Sequence, residues 1–296
     1  MPSECKTAVV GLGQMGCGIA RNLDSQNVLV AASDVNSKAF AAAEFSDRVQ
    51  NANIKQILVQ SDIVLFAVPS TEQIAQILQT HSAGQKPQMI VDLTTSHPSQ
   101  SRALETELSA RGFSYIDAAM TGGATGADAG SLTLMVGGAD HDISRCQSIL
   151  EMIASKMFHL GPVGAGHAMK LIHNLILHSS FMATCEGMQL AGHAGIDLNR
   201  AIDVLNAGNA RSFVTDTRFP RDILSGTMMA RSQISNLEKD LGLAQQFGEQ
   251  LGARIPYTTM TRTLLTEALD AGHAVTDFSH LFPLYEELVD RMEDDK

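Results

Sequence analysis

The sequence contains no tryptophan, and aromatic residues make up only 5% of its 296 residues. Its few cysteines are scattered and form neither a C-x-x-C pair nor a spacing typical of zinc ligands: Cys5, Cys17, Cys146 and Cys185. That usage is typical of reduced thiols in a cytoplasmic protein. No stretch approaches the ~20 apolar residues of a membrane-spanning helix, and the N-terminus lacks a signal-peptide pattern. We therefore expect a soluble cytoplasmic protein.

Positive charge is also scarce. The chain has 21 Lys and Arg against 32 Asp and Glu, a formal net charge of −11, and its basic residues form no cluster. Such a chain is a poor partner for nucleic acids or anionic membranes, so we expect neither. Hydrophobic residues at 44% and charged residues at 18% are typical of a folded globular protein, and the length allows one large domain or two ordinary ones.

The first half of the chain alternates short apolar runs with helical patterns. Continuous apolar runs of this kind are typical of parallel strands covered on both faces. The predicted strands are residues 6–10, 28–32, 63–68, 89–92, 113–117 and 132–136, and residues 121–130 are predicted to form a glycine-rich loop. The order indicates βαβ units and hence a doubly wound α/β domain.

The second half has a different character. From Ala165 to about Ala194 there is no proline, and apolar residues recur at helical spacing, which predicts one long helix. The remainder shows helical periodicity and almost no strand-like runs. We therefore predict two domains, residues 1–163 and 164–296, the second all-helical and joined to the first by the long helix.

A G-x-G-x-x-G motif follows the first predicted strand and begins the first predicted helix: Gly11, Leu12, Gly13, Gln14, Met15 and Gly16. In this context the glycines allow a tight turn, a close approach of the backbone to a pyrophosphate and close helix–strand packing. Helix N-terminal N–H groups then face the phosphates. The motif predicts a Rossmann-type dinucleotide site, and the alternative is a turn without a ligand.

Asp34 ends the second predicted strand, 18 residues after Gly16. A carboxylate there can accept hydrogen bonds from ribose hydroxyls and would repel a 2′-phosphate, and the next residue is Val35 rather than an arginine. The pattern favours NAD over NADP. The alternative is that Asp34 is only a turn residue.

Four segments, in order along nearly the whole chain, resemble the β-hydroxyacid dehydrogenase family. They are the glycine motif, DAAMTGGATGA from Asp117, GPVGAGHAMKLIHN from Gly161, and KDLGLA from Lys239. The second segment departs from the family's D-x-P-V-S-G-G-x-x-G-A pattern, because Ala119 stands in place of proline and Thr121 in place of serine. Thr121 retains a hydroxyl, so the polar contact to substrate can be kept.

The resemblance implies an NAD-dependent oxidoreductase that interconverts a small 3-hydroxy carboxylic acid and its semialdehyde or keto form. Lys170 would be the proton-transfer residue, and Asn174, four residues later on one helix face, would orient the reacting centre. Thr121, Gly122 and Gly123 would bind the substrate carboxylate, through a hydroxyl and successive backbone N–H groups.

Other residues are assigned to the cofactor by the same resemblance. Val68 and Pro69 lie at the end of one predicted strand and Thr95 follows the next, at the edge where such sheets bind ligands, and Lys239 would reach the cofactor from the helical domain. Without the resemblance, Lys239 and Asp240 would be interpreted as an exposed charge pair, and we interpret Asp240 as structural.

His173 is a candidate for contact with substrate hydroxyls, which would favour a more hydroxylated acid such as threonate. The K-x-x-H-N pattern is similar to that of 6-phosphogluconate dehydrogenase, a relative, but Asn174 is followed by Leu175-Ile176-Leu177, without the relative's catalytic acid. A phosphorylated sugar acid is therefore disfavoured. We predict no metal site, because His167, His173 and His178 lack the four-residue helical spacing of ligands.

Several alternatives stay open. An imine reductase-like enzyme and a non-catalytic NAD-binding module share this general pattern, and Lys170 argues against both. The segment containing Arg211, Arg218 and Arg221 is interpreted as a loop with solvated arginines, or as an approach to the substrate. The family resemblance also implies a homodimer or homotetramer.

Overall fold

A computed structural model describes residues 5–83 and 88–294. One eight-stranded sheet contains Thr7–Val10 (β1), Leu29–Ser33 (β2), Gln50–Asn51 (β3), Ile63–Phe66 (β4), Met89–Asp92 (β5), Ser114–Thr121 (β6), Leu132–Gly137 (β7) and Ala154–His159 (β8). The strand order is β3-β2-β1-β4-β5-β6-β7-β8. The chain turns back at β1 and β4, which makes their carboxyl ends the switch point where ligands bind in such sheets.

The helices around the sheet are Gln14–Ser25 (α1), Ser37–Ala42 (α2), Ile54–Gln60 (α3), Thr71–Leu78 (α4), Pro98–Ser109 (α5), Gly123–Asp128 (α6) and Asp140–Leu150 (α7). Alternate strand residues pack into separate cores on the two faces of the sheet. Val9 and Leu65 belong to one core, whereas Val64 and Phe66 belong to the other, and all four are fully buried. This confirms the expected doubly wound α/β domain.

Three details of the sheet differ from the sequence prediction. The strand β7 is antiparallel to β6, with Ala119 opposite Met135, while the other neighbours are parallel. The sequence did not indicate two of the strands, since β3 is only two residues long and exposed and most residues of β8 are exposed. The predicted glycine-rich loop of residues 121–130 is wrong in part, because α6 occupies its centre.

The second half of the chain consists of helices, as predicted. They are Ala165–His193 (α8), Leu198–Ala207 (α9), a π-helix over Val214–Leu224, Ile234–Gln250 (α10), Pro256–Asp270 (α11), a 3₁₀ turn over Phe278–His280 and Leu281–Asp294 (α12). Their core includes fully buried Phe219, Leu241 and Leu265, with Phe181 packed edge-on against Phe278 at 5.1 Å. Among the described residues, no helix is long and apolar enough to cross a membrane.

The chain divides into two units, Met1–Lys170 and Leu171–Lys296. The division falls inside α8, whose 29 residues contain no proline to interrupt the helix. Lys170 is therefore the last residue of the first unit, and Asn174 lies one helical turn later in the second.

Candidate active site

The glycine motif lies between β1 and α1, as its spacing predicts. Gly11 has a φ of +96°, and a Cβ there would lie 2.5 Å from the carbonyl oxygen of Ala67, which follows β4. A Cβ on Gly16 would lie 1.9 Å from the carbonyl oxygen of Gly11. These two glycines therefore allow the turn to close against both the helix and the neighbouring strand.

Gly13 has a different role. It is the N-cap residue of α1 and supplies no side-chain cap, and a Cβ built on it meets nothing within 4 Å. The first N–H groups of a helix have no acceptor within the helix, and they carry its positive dipole end. An open, uncapped helix start of this kind fits the pyrophosphate of a dinucleotide.

Asp34 lies beside this turn, directly after β2. Its Oδ2 accepts a hydrogen bond from the backbone N–H of Leu12 at 2.6 Å, and its Oδ1 accepts one from Asn36 at 2.7 Å. The carboxylate is thus held at the glycine motif while each oxygen keeps a second lone pair. Val35 is fully exposed next to it. The Asp34 side chain is therefore fixed beside the turn between β1 and α1.

The ends of β4 and β5 meet beside the glycine motif. The backbone N–H of Thr71 donates to Ser96 Oγ at 2.8 Å, which joins the segment containing Val68 and Pro69 to the segment containing Thr95. Val68 and Thr95 are half-buried, and Pro69 is exposed. The structure therefore brings these predicted cofactor residues to one edge of the sheet, together with the glycine motif and Asp34.

A buried polar cluster lies below this edge, and sequence analysis missed it. Asp92, at the end of β5, accepts hydrogen bonds from Thr71 Oγ1 at 2.5 Å, Tyr115 Oη at 2.7 Å and the backbone N–H of Thr94 at 2.9 Å. Burial and the charge of Asp92 raise the pKa of Tyr115 well above its usual value. Tyr115 therefore stays a neutral donor, and the cluster joins the end of β5 to β6 and to the start of α4.

Asp117, fully buried on β6, connects the sheet to α8. Its two oxygens accept backbone N–H groups from Gly164 at 2.7 Å and His167 at 2.8 Å. Burial raises the pKa of Asp117, opposed by nearby His167 and by these two hydrogen bonds. His167 is fully buried, with Nδ1 2.6 Å from Ser101 Oγ and Nε2 3.7 Å from Asp92. The start of α8 is therefore fixed to the strand that leads into Thr121.

The predicted substrate segment follows β6. Thr121 is half-buried at the end of the strand, and Gly122 and Gly123 are exposed with φ values of +124° and +64°. Left-handed backbone at two successive residues explains why glycine occupies both positions. A Cβ on Gly123 would meet nothing within 4 Å, so its backbone is accessible to a ligand.

The predicted catalytic residues lie on α8 and α10. Lys170 and His173 are half-buried on α8, and Asn174 is buried one turn after Lys170. The Asn174 amide donates to Asp240 Oδ2 at 2.6 Å, and Lys239 Nζ lies 3.0 Å from Asp240 Oδ1. Asn174, Asp240 and Lys239 thus form one connected group.

The interpretation of the arginine segment as a solvated loop is wrong for Arg218 and Arg221, which lie on the π-helix, whereas Arg211 precedes that helix and is exposed. Arg218 packs over the ring of Phe278 at 5.0 Å and lies 3.3 Å from Asp222. Burial lowers the pKa of Arg218, and the neighbouring Asp222 opposes that effect. Arg221 also pairs with Asp222, at 2.6 Å, and the more exposed Arg211 pairs with Asp216 at 3.0 Å. Arg218 therefore has a structural role.

Comparison with known proteins identifies both halves of the chain. Residues 6–161 match the NAD-binding domain of 6-phosphogluconate dehydrogenase, and residues 164–285 match the NAD-binding domain of NADP-dependent 3-hydroxyisobutyrate dehydrogenase. No group of three or more His, Cys, Asp or Glu side chains that could hold a metal ion occurs in the part of the chain that the structure describes.

Relatives match over nearly the full length. A 2-(hydroxymethyl)glutarate dehydrogenase from Eubacterium barkeri is 27% identical, over 97% of both chains. An L-threonate dehydrogenase from Escherichia coli O6:H1 is 28% identical, over 96% of this chain and 95% of the relative. The structure of Mycobacterium tuberculosis 3-hydroxyisobutyrate dehydrogenase with L-serine aligns with a TM-score of 0.85 at 25% identity, over 94% of this chain and 98% of the other. The chain belongs to the β-hydroxyacid dehydrogenase family, and it is a nicotinamide-dependent oxidoreductase.

Proposed function

We propose that this protein is an NAD-preferring cytoplasmic dehydrogenase for a small, non-phosphorylated 3-hydroxy carboxylic acid, with Lys170 as its proton-transfer residue. The observation that carries the proposal is the hydrogen bonding of Asp117. One carboxylate on β6 accepts two N–H groups from the start of α8, so the strand that ends at Thr121 also fixes the helix that carries Lys170. Substrate-binding and proton-transfer residues are thereby held in one arrangement.

The substrate class is supported by the chemistry that the named ligands share. L-threonate, 2-(hydroxymethyl)glutarate and L-serine each carry a carboxylate and a hydroxyl on the second carbon from it. Thr121, Gly122 and Gly123 would bind the carboxylate, because two left-handed glycines expose backbone N–H groups beside a hydroxyl. Asn174 would orient the reacting hydroxyl, and His173 would contact further hydroxyls, which favours an acid such as threonate over 3-hydroxyisobutyrate.

The reaction divides between cofactor and protein. A bound nicotinamide would supply the acceptor for the hydride that leaves the carbon bearing the hydroxyl. The hydroxyl proton passes to the neutral amine of Lys170, which leaves a carbonyl, and the lysine returns that proton in the reverse direction. Excluding water and holding the hydroxyl against the amine supply most of the rate enhancement in this scheme.

The choice of NAD is supported by Asp34. Its carboxylate is held at the glycine motif by the N–H groups of Leu12 and Asn36, and it would repel a 2′-phosphate. Val68, Pro69 and Thr95 would contact the cofactor from the strand ends, and Lys239 from α10. We also propose two domains, residues 1–163 for the cofactor and 164–296 for substrate and subunit contacts, in a dimer or tetramer.

The test is NAD reduction, followed by absorbance, against 3-hydroxyisobutyrate, glycerate, threonate, serine and 6-phosphogluconate, with NADP in parallel. We expect turnover of a non-phosphorylated acid with NAD. Turnover of 6-phosphogluconate alone would contradict the substrate class, and a preference for NADP would contradict the role of Asp34. Binding of NADH without turnover of any acid would favour the imine reductase-like or the non-catalytic interpretation.

A further inference from the structure

Asp240 lies in the interior of the helical unit and contacts two proposed site residues. Its side chain is 13% exposed on α10, between the buried Leu237 and Leu241. A buried carboxylate is strongly destabilising unless it is well paired. Here it accepts the Asn174 amide at 2.6 Å and lies 3.0 Å from the Lys239 ammonium. Both contacts of this carboxylate are thus with proposed site residues, which suggests that it does more than fill space in the helical core.

The direction of the hydrogen bond between Asn174 and Asp240 determines which end of the Asn174 amide faces the carboxylate. An ionised carboxylate has only hydrogen-bond acceptors, so the atom of Asn174 that faces Asp240 is the NH₂ group. The carbonyl oxygen of the amide must then point the other way. It lies 3.0 Å from Nδ1 of His173.

The same reasoning extends to the imidazole. An amide oxygen can only accept, so the hydrogen bond between His173 and Asn174 requires a proton on Nδ1. In a neutral imidazole that leaves Nε2 as the nitrogen with the lone pair. One carboxylate therefore determines the orientation of an amide and, through it, the tautomer of a histidine.

We propose that Asp240 is a positioning residue for the reaction, which fixes the Asn174 amide and through it the Nδ1–H tautomer of His173. The inference rests on the proposed roles of Asn174 and His173 at the substrate. In this state Nε2 is the acceptor nitrogen of His173, the type of atom to which a substrate hydroxyl can donate its proton. Asp240 would thus favour hydroxyl-bearing acids without touching them, because it acts through Asn174 and His173.

The first test uses kinetics of three variants of the full-length enzyme with the acid and NAD found to turn over. D240L removes the acceptor at similar size, D240N keeps one amide oxygen that can still accept from Asn174, and D203N removes one exposed charge on α9. We expect D240L to lower kcat by about 10-fold to 100-fold, the range for a hydrogen bond to a charged group. D240N should recover part of that loss, and D203N should stay within about twofold of the wild type.

The second test reads the tautomer directly and does not need turnover. Protein labelled with ¹⁵N-histidine is measured by long-range ¹H–¹⁵N correlation, above the pH range where imidazole titrates, with H173Q to assign the signals. We expect His173 to be protonated at Nδ1 in the wild type and to lose that single state in D240L. Protonation at Nε2 in the wild type, or an unchanged tautomer and kcat in D240L, would overturn the inference. A fixed tautomer in an enzyme that turns over no acid would instead contradict the proposed function.

Discussion

The carboxylate of Asp117 accepts the backbone N–H of His167 at 2.8 Å, across 50 residues of sequence. This bond joins β6 to the first turn of α8, where N–H groups have no acceptor within the helix. A negative charge at that end also interacts favourably with the helix dipole. Because Lys170 follows His167 by three residues, Asp117 helps to determine where the proposed proton-transfer group lies.

Replacement of Asp117 by asparagine should destabilise the protein. An amide has one acceptor oxygen where the carboxylate has two, so the N–H group of either Gly164 or His167 would lose its partner in a buried site. We expect D117N to lower the free energy of unfolding by about 1–3 kcal/mol, measured by urea denaturation. The matched variant D47N, at an exposed position of the same unit, should change it by less than about 0.5 kcal/mol. Equal effects of both variants would contradict the role of Asp117.

The pKa of Asp117 also predicts a pH dependence of stability. Burial raises that pKa above 3.8, so the folded protein holds the proton to a higher pH than the unfolded chain does. The resulting stabilisation is complete below the unfolded-state pKa and is lost as the pH rises through the raised folded-state pKa. D117N should lack this contribution. The measurement is the unfolding free energy against pH for both proteins, and identical slopes in the acid range would refute it.

Two glycines of the nucleotide motif should respond differently to alanine. In G16A the new Cβ would lie 1.9 Å from a backbone oxygen, so the turn must shift, and we expect a loss of about 1–3 kcal/mol or more of stability. In G13A the Cβ meets open space, at a φ of −69° that alanine adopts freely. Stability should change by less than about 1 kcal/mol.

The same G13A variant should nevertheless bind NADH poorly, because the methyl group would stand where a pyrophosphate approaches the helix. We expect the Kd for NADH, measured by fluorescence titration, to rise by about tenfold or more, equivalent to about 1.4 kcal/mol. Wild-type affinity in a well-folded G13A protein would show that the pyrophosphate lies elsewhere.

Substitutions at the end of β2 should shift the cofactor preference from NAD towards NADP. The double variant D34N/V35R removes the negative charge and places a guanidinium at a fully exposed position. We expect the ratio of kcat/KM for NAD over NADP to fall by about 10-fold to 100-fold, the worth of a hydrogen bond to a charged group. The single variant D34N tests the loss of repulsion of the 2′-phosphate of NADP, and V35R tests the new attraction to it. An unchanged ratio in all three would contradict the assignment of Asp34.

Much of the cofactor domain was predictable because its signals are local. The glycine motif, the buried strands β1, β4 and β5, and the proline-free α8 each follow from residues close together in sequence. The short polar β3 and the antiparallel β7 carry no such local signal. The π-helix likewise has no local signal. Its Arg218 packs against Phe278, 60 residues away, and the sequence alone does not indicate that contact.

The hydrogen bonds that position the candidate site residues could not be predicted from the sequence. Asp117 and His167 are 50 residues apart, and Asn174 and Asp240 are 66 apart, so no periodicity or spacing rule connects them. The resemblance identified Lys170 and Asn174 as site residues and left Asp240 as structural. Only the folded chain reveals which buried carboxylate each of these helical segments contacts.

The central claim is that Lys170 transfers the proton, and a single pair of measurements on K170A tests it most directly. The variant's turnover of the best acid with NAD is compared with its NADH affinity and thermal unfolding midpoint. We predict a kcat lower by a factor of about 100 to 10,000, the contribution of general acid–base catalysis, with NADH affinity and stability retained. Wild-type turnover in folded K170A would contradict the mechanism.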